Sequence, residues 1–217
     1  EKLDYLMASL GQTAREAGVQ IVAGDTKVVE HGACDQIFIN TAGIGFVQPN
    51  VDMRPQRMLP GDKVIVSGPV GNHGIAILAA REGLEFSPPL ESDCTYLNYL
   101  IDKVLSTGAN VKCMRDPTRG GLATTLNELA QQGGVGIKIY EENIPIESQV
   151  RKACAMLGLD PLYLANEGKV ILVVSNKDAT LVLNEMKKYK IGQQAEIIGE
   201  ITDAHPTKVV METQQIG

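Results

Sequence analysis

The sequence predicts a β-sheet covered by α-helices, in an α+β or α/β arrangement. Three observations support this fold class. Apolar segments of strand length alternate along the chain with segments whose apolar residues recur at helical spacing. The connections between them are short, and glycine or proline stands at many of the junctions. The 217 residues, 44% of them hydrophobic and 21% charged, suffice for one large domain or two modest ones.

The first 58 residues are predicted to be the end of an α/β domain. The chain opens on Glu1, inside a helical pattern that ends at the natural C-cap Gly18. Short apolar segments at 19–23, 37–39 and 42–47 are predicted strands. The beginning of this domain is therefore expected to be missing. The helical face is formed by Leu3, Leu6, Leu10, Ala14 and Ala17.

A turn, Leu-Pro-Gly-Asp at 59–62, marks the predicted boundary to a second domain at 59–217. Strands and helices alternate after it. The predicted strands are 63–67, 111–114, 135–140, 170–174, 196–201 and 209–211. Five helices are predicted. The first follows the 63–67 strand and ends near residue 81, and the third begins at the run that starts at 116. The other three span 94–105, 147–157 and 178–188.

Composition argues against several classes of function. No apolar run approaches the ~18 residues that a membrane span needs. With three Phe, six Tyr, no Trp and a formal net charge of −6, the chain is a poor candidate for nucleic-acid binding. Its four cysteines form no C-x-x-C pair, which favours reduced thiols in a cytoplasmic protein over a zinc site or disulfides.

The most informative motif is Asp-Pro-Thr-Arg-Gly-Gly at 116–121, between a predicted strand and a predicted helix. A helix start favours an anion, and two glycines let a ligand approach the backbone closely. Asp116 could hold Mg²⁺, and Arg119 could bind a phosphate or carboxylate with its guanidinium group. Alternatively, Asp116 or Thr118 caps the helix and Arg119 is a solvated surface charge. Local sequence leaves both open.

A second motif is Gly-Asp-Thr-Lys at 24–27, where an acid, a hydroxyl and an amine follow a predicted strand. Asp25, Thr26 and Lys27 suit contact with a metal and phosphate, or a proton-transfer pair. The spacing is not that of a P-loop. The alternative is a β-turn with Asp25 at its first corner.

The third motif, Asn-Glu-Gly-Lys at 166–169, precedes the strand predicted from Val170. Glu167 could be a general base whose pKa is adjusted by its neighbours. Equally, the motif could be a surface turn with a solvated pair of Glu167 and Lys169. His73, in Gly-Asn-His-Gly at 71–74, is more typical of a helix cap or a packing residue than of a catalytic group.

Together, four segments resemble the HypE family, the carbamoyl dehydratases of [NiFe]-hydrogenase maturation in the aminoimidazole ribonucleotide (AIR) synthetase-like superfamily. The resemblance covers essentially the whole chain. Asp-Pro-Thr-Arg-Gly-Gly and Asn-Glu-Gly-Lys are specific to this branch when they occur together. The segments are Gly-Asp-Thr-Lys-Val-Val (24–29), Val-Ser-Gly-x-x-Gly-Asn-His-Gly (66–74), Asp-Pro-Thr-Arg-Gly-Gly (116–121) and Leu-Ala-Asn-Glu-Gly-Lys (164–169).

The resemblance implies an N-terminal α/β ATP-binding domain, here ending within residues 1–58, that pairs into a homodimer. An AIR-synthetase-like α+β domain would follow at 59–217. A HypF-like carbamoyltransferase would load a carbamoyl group onto a C-terminal cysteine. With ATP and Mg²⁺ the protein would dehydrate that group to a thiocyanate, and a HypC–HypD-like scaffold would receive the cyanide ligand.

It also implies residue roles. Glu167 and Lys27 would carry out the deprotonation, and Asp25 and Asp116 would belong to the metal–ATP site. The residues expected near phosphates are Thr26, Thr118, Arg119, Gly120 and Gly121.

The chain departs from the family pattern at both ends. It lacks the nucleotide-binding loops of the N-terminal domain and the cysteine-bearing tail, so we expect it to be inactive alone. Two other interpretations stay open. One is another ATP-dependent enzyme of the superfamily, such as an aminoimidazole ribonucleotide or selenophosphate synthetase. The other is a non-catalytic docking module for maturation partners.

Overall fold

A computed structural model describes residues 2–49 and 51–213, which fall into two compact units, Glu1–Val51 and Asp52–Gly217. The domain boundary predicted at residue 59 stays a prediction. Met58, one residue before that position, is buried in the core of the second unit. None of the described helices is both long enough and apolar enough to cross a membrane.

The first unit contains the predicted helix, α1 (Lys2–Glu16), followed by Gly18 in a left-handed conformation. The strands predicted at 19–23, 37–39 and 42–47 are wrong. Those residues have no regular secondary structure, and nearly all their side chains are exposed. A strand requires a neighbour to satisfy its N–H and C=O groups, and the described residues of this unit provide none.

The second unit is built on a mixed sheet of six strands among the described residues, in the order β2-β4-β1-β5-β3-β6. All neighbours are antiparallel except β3 and β6, which are parallel. The strands are β1 (Lys63–Val66), β2 (Val111–Arg115), β3 (Gly136–Tyr140), β4 (Ile171–Val174), β5 (Glu196–Thr202) and β6 (Val209–Glu212).

Five helices of the second unit lie within the described residues. They are α2 (Asn72–Glu82), α3 (Asn98–Ser106), α4 (Gly121–Gly133), α5 (Ser148–Leu157) and α6 (Ala179–Lys187). The helix predicted to begin at residue 94 begins at Asn98, and residues 84–97 form no helix or strand. Residues 84–97 are called the 84–97 segment below.

Helices cover both faces of the sheet because the central strands are apolar on both sides. Val64 and Val66 of β1 face one way and pack in the core that contains Leu122 and Leu126 of α4. Ile65 faces the other way, in the core formed with α3 and α6. A smaller apolar cluster joins α2 to α5. The predicted fold class, a sheet covered by helices, is therefore confirmed for the second unit.

The four cysteines are free thiols. Cys113 of β2 is almost completely buried. Burial raises the pKa of the Cys113 thiol to about 12, and the nearby negative charge of Asp62 contributes to the rise. This thiol therefore stays protonated and unreactive at neutral pH.

Candidate functional site

Three of the motifs meet beside the N-terminal ends of α2 and α4, and the side chain of Asn166 joins them. Its Oδ1 accepts a hydrogen bond from the N–H of Gly71 at 2.8 Å. Its Nδ2 donates to the carbonyl oxygens of Pro117 at 2.9 Å and of Leu164 at 3.0 Å. Asn166 is 0% exposed. One buried amide thus connects the loops before α2, before α4 and before β4.

Main-chain hydrogen bonds reinforce these connections. The N–H of Asn166 donates to the carbonyl of Pro117 at 3.2 Å, and the N–H of Gly74 donates to Ala165 at 3.0 Å. At the sheet end of the site, the N–H of Val170 donates to Oγ of Ser67 at 3.0 Å. The loops are therefore held by directed bonds that fix their relative positions.

Gly121 allows α4 to approach the loop at 162–164. It has φ 63°, a left-handed conformation that favours glycine. A Cβ atom at this position would lie 2.5 Å from the carbonyl oxygens of both Leu162 and Leu164. Both neighbours are main chain, so neither can move aside cheaply. This contact explains the second glycine of the Asp-Pro-Thr-Arg-Gly-Gly motif.

The start of α4 has the features of an anion site. Gly120 precedes the helix, and no side chain of the described residues caps it. Thr118 Oγ1 instead donates to Asp116 Oδ2 at 3.0 Å, so the predicted alternative of an Asp116 or Thr118 cap is not observed. Arg119 is exposed and makes no ion pair within residues 2–49 and 51–213. The helix dipole and this cation would both favour a phosphate.

Glu167 stands on the neighbouring loop, with its side chain 43% exposed. Its Oε1 lies 4.0 Å from Nε2 of His73, and Nδ1 of His73 hydrogen-bonds Oγ of Ser92 at 2.8 Å. Glu167 also donates its main-chain N–H to Oδ1 of Asp93 at 3.2 Å. The carboxylate is accessible while its main chain is anchored, which suits a proton acceptor.

Lys169 pairs with Asp93, so the solvated pair of Glu167 and Lys169 in the alternative interpretation is not observed. Its Nζ lies 3.2 Å from Asp93 Oδ2, and the two side chains are 10% and 4% exposed. Beside this pair lies an open cleft of about 680 Å³ whose walls include Asn72, Ser92, Asp93, Thr95 and Lys169. Both partners of the Asp93–Lys169 pair therefore line this cleft.

Asp25, Thr26 and Lys27 belong to the first unit, where all three are exposed. Oδ1 of Asp25 accepts the N–H of Thr26 at 2.8 Å. Their expected association with Asp116 and Glu167 joins residues of different units and stays a prediction.

The residues of the second unit fit a magnesium ion only as part of a metal–phosphate complex. Among the described residues, no group of three His, Cys, Asp or Glu side chains could enclose a metal. Mg²⁺ needs only one or two carboxylates when phosphate oxygens and water supply the remaining ligands. The exposed carboxylate of Asp116, beside an anion-favouring helix start, fits that limited role.

Sequence reasoning missed three contributors to this cluster. Asn166 lies inside a recognised motif, but its role in joining loops depends on partners 95 and 49 residues away. Ser92 and Asp93 lie in the 84–97 segment, which has neither helical nor strand periodicity to draw attention to it. The Gly-Asn-His-Gly motif was the available sequence signal for this part of the cluster, because its His73 lies beside Glu167 and hydrogen-bonds Ser92.

The sequence of this region matches that of known proteins. Residues 60–212 match the family described as AIR synthase related protein, C-terminal domain. The chain is 46% identical over 211 residues to the carbamoyl dehydratase HypE of Azotobacter vinelandii, covering 97% of this chain and 62% of that protein. The chain thus spans about three-fifths of the length of that relative.

Solved structures resemble the whole chain. A chain in the crystal structure of a HypE–HypF complex matches with a TM-score of 0.95 and 47% identity, over 100% of this chain and 70% of that one. A HypE structure in complex with ATP matches with a TM-score of 0.94 and 44% identity, over 98% of this chain and 65% of that one.

Proposed function

We propose, from the premise that this chain belongs to the HypE family, that its protein is an ATP-dependent carbamoyl dehydratase of [NiFe]-hydrogenase maturation. The protein would convert a carbamoyl group on a C-terminal cysteine thiol into a thiocyanate, the source of the cyanide ligands on iron. Chemically, both protons leave the amide nitrogen, the carbon–oxygen bond breaks and a carbon–nitrogen triple bond forms.

The observation that carries the proposal is the Asn166 amide, which holds Glu167 on a loop next to the one that starts α4. A dehydration of this kind needs a base for the amide protons close to a place that holds phosphate. Glu167 offers the base, and the uncapped start of α4 offers the anion site. A related HypE has been solved in complex with ATP, which is the phosphate donor that this reaction needs.

The residue roles that we propose are those that the resemblance to the HypE family implies. Glu167 would accept an amide proton, with Lys27 as its partner in deprotonation. Asp116 and Asp25 would hold Mg²⁺ on the phosphates, and ATP would supply the phosphoryl group that turns the carboxamide oxygen into a leaving group. The groups that would contact phosphates are Thr26, Thr118, Arg119 and the main chain at Gly120 and Gly121.

We also propose the partners. A HypF-like carbamoyltransferase would supply the carbamoyl group, as a related HypE has been solved in complex with HypF. A HypC–HypD-like scaffold would accept the product, and the protein would work as a cytoplasmic homodimer.

The test is Glu167→Gln in the complete protein, whose cysteine is first carbamoylated. We expect ATP-dependent conversion to slow by about 10²–10⁴-fold, because the amide keeps the size of the side chain but cannot accept the proton. The readout is mass spectrometry of the cysteine peptide, which loses one water. Glu82→Gln, at the exposed end of α2, is the matched control and should leave the rate unchanged. Conversion at the wild-type rate would contradict the role of Glu167 as the base.

The same assay separates the two alternatives. An enzyme acting on a free small molecule would hydrolyse ATP without any change in the mass of the cysteine peptide. A docking module would bind the maturation partners but show no ATP turnover with a carbamoylated cysteine.

A further inference from the structure

We propose that Asp93 is a positioning residue that holds Glu167 in place for proton transfer, an inference that rests on the proposed role of Glu167. Asp93 lies in the 84–97 segment, which none of the motifs includes. It contacts the loop on both sides of Gly168, through two different oxygens.

The two carboxylate oxygens of Asp93 have different partners in the same loop. Oδ1 accepts the main-chain N–H of Glu167 at 3.2 Å, and Oδ2 lies 3.2 Å from Nζ of Lys169. Oδ2 receives no well-aligned hydrogen bond within the described residues, so the ammonium charge is its compensation. The Asp93 side chain is 4% exposed, so its charge depends on Lys169 for compensation. In return, Asp93 anchors the loop through its contacts with Glu167 and Lys169.

Gly168 shows how closely the two segments approach. A Cβ atom there would overlap the carbonyl oxygen of Asp93 and would come within 2.8 Å of Cγ2 of Thr95. The main chains of the segment and the loop are thus in direct contact between the two Asp93 bonds. The glycine of the Asn-Glu-Gly-Lys motif is required by this contact.

The residue before Asp93 supports the other end of Glu167. Oγ of Ser92 hydrogen-bonds Nδ1 of His73 at 2.8 Å, which orients Nε2 of His73 towards the Glu167 carboxylate 4.0 Å away. Asp93 therefore holds the main chain of Glu167, and the adjacent Ser92 orients His73, which lies beside the Glu167 side chain.

Such support matters because the Glu167 side chain is 43% exposed and would otherwise sample several rotamers. A general base works only within hydrogen-bond reach of the proton that it removes, and a misplacement of about 1 Å can cost about 10²-fold in rate. The alternative is that Asp93 and Lys169 form a buried ion pair that only stabilises the fold.

A double-mutant cycle in the complete protein distinguishes the two. We expect Asp93→Ala to lower kcat for thiocyanate formation about 10–100-fold while KM for ATP changes less than about threefold. In the Glu167→Gln background, Asp93→Ala should lower kcat by less than about threefold, because the carboxylate that Asp93 positions is no longer present. Asp93→Asn, which keeps an oxygen for the Glu167 N–H, should retain more activity than Asp93→Ala.

Equal losses in both backgrounds would overturn the proposal. Glu85→Ala, at an exposed position of the same segment that does not line the cleft, is the control and should behave as the wild type.

Hydrogen exchange tests the positioning contact without catalysis. Asp93→Ala should speed exchange of the Glu167 amide by about tenfold or more while amides of the central strands are unchanged. Unaltered exchange at the Glu167 amide would contradict the positioning role of Asp93 without affecting the proposed role of Glu167 as the base. If the wild-type protein forms no thiocyanate, the proposed function is refuted, while faster exchange in Asp93→Ala would still support the contact.

Discussion

At the scale of single residues, Asn166 is the most exacting position of the site. Its amide both accepts and donates, and each of its three side-chain bonds goes to a main-chain group of a different loop. No other side chain of the same size can do this. Aspartate has the shape but only acceptor oxygens, and leucine has neither donor nor acceptor.

Asn166→Asp should therefore destabilise the protein strongly. The carboxylate would lie against the carbonyl oxygens of Pro117 and Leu164, buried and repelled, which should lower the free energy of unfolding by about 3–5 kcal/mol at pH 7. Urea unfolding monitored by circular dichroism measures the change. Asn127→Asp is the matched control, because Asn127 is exposed and makes one bond within α4, to Ala123. A loss below about 1 kcal/mol for Asn166→Asp would contradict its role in joining the loops.

At the scale of elements, charged residues on neighbouring strands stabilise the middle of the sheet. Glu200 of β5 lies opposite Lys63 of β1, and its carboxylate accepts from Lys63 Nζ at 2.6 Å and from the Tyr140 hydroxyl of β3 at 2.9 Å. The bond to Lys63 is the main cause that lowers the pKa of Glu200, and the bond to Tyr140 adds to it. One carboxylate thus connects three strands.

This arrangement predicts a pH-dependent effect of Glu200→Gln. Because the folded pKa is below the ordinary value of 4.5, the stabilisation is fully present above about pH 4.5 and is lost as the pH falls through the folded pKa. We expect the change to lower the free energy of unfolding by about 1 kcal/mol at pH 7 and by less at pH 3, which lies below the unfolded pKa.

Urea unfolding at the two pH values checks this expectation. The control is Glu212→Gln, at the exposed edge strand β6, which should cost at most about 0.5 kcal/mol because its ion pair with Lys138 is solvated. An equal loss for Glu200→Gln at both pH values would show that its charge is not the cause.

Elements of the second unit were predictable because each carries its own periodicity. β4 and α4 fall where the apolar pattern indicates, within a few residues. The failures share one cause: the strands predicted at 19–23, 37–39 and 42–47 have apolar residues but no partner strand among the described residues. Local pattern indicates what a segment can form, whereas pairing depends on the remainder of the fold.

The same limit applies to the site. Glu167 was recognisable as an acid between glycine and asparagine, but Asp93 was not, because its importance comes from a contact 74 residues along the chain. The roles of Lys27, Asp25 and Thr26 stay predictions for a related reason, since they lie in the other unit.

At the scale of the whole molecule, the two units differ in how much apolar surface they bury. No described residue of 2–49 is buried, while the second unit contains two large apolar cores and a smaller one. Hydrophobic burial is the main stabilising contribution to a fold, so the second unit should carry nearly all the stability of the 217 residues.

Removal of residues 1–51 should therefore change the midpoint of thermal unfolding by less than about 5 °C, measured by calorimetry on the 217-residue chain and on residues 52–217. A much larger fall would show that the first unit contributes to the cores. Whether the 217 residues alone dehydrate a carbamoyl group stays a separate prediction, because the chain spans 62% of its relative from Azotobacter vinelandii.

The long reach of the Asn166 hydrogen bonds also bears on how the protein folds. Two of the bonds join Asn166 to residues 95 and 49 positions earlier, so the loops that they enclose must close before those two bonds can form. Closing long loops is entropically unfavourable, and contacts between distant residues slow folding. We therefore expect the loops of this site to become ordered late in folding, after the strands beneath them have paired.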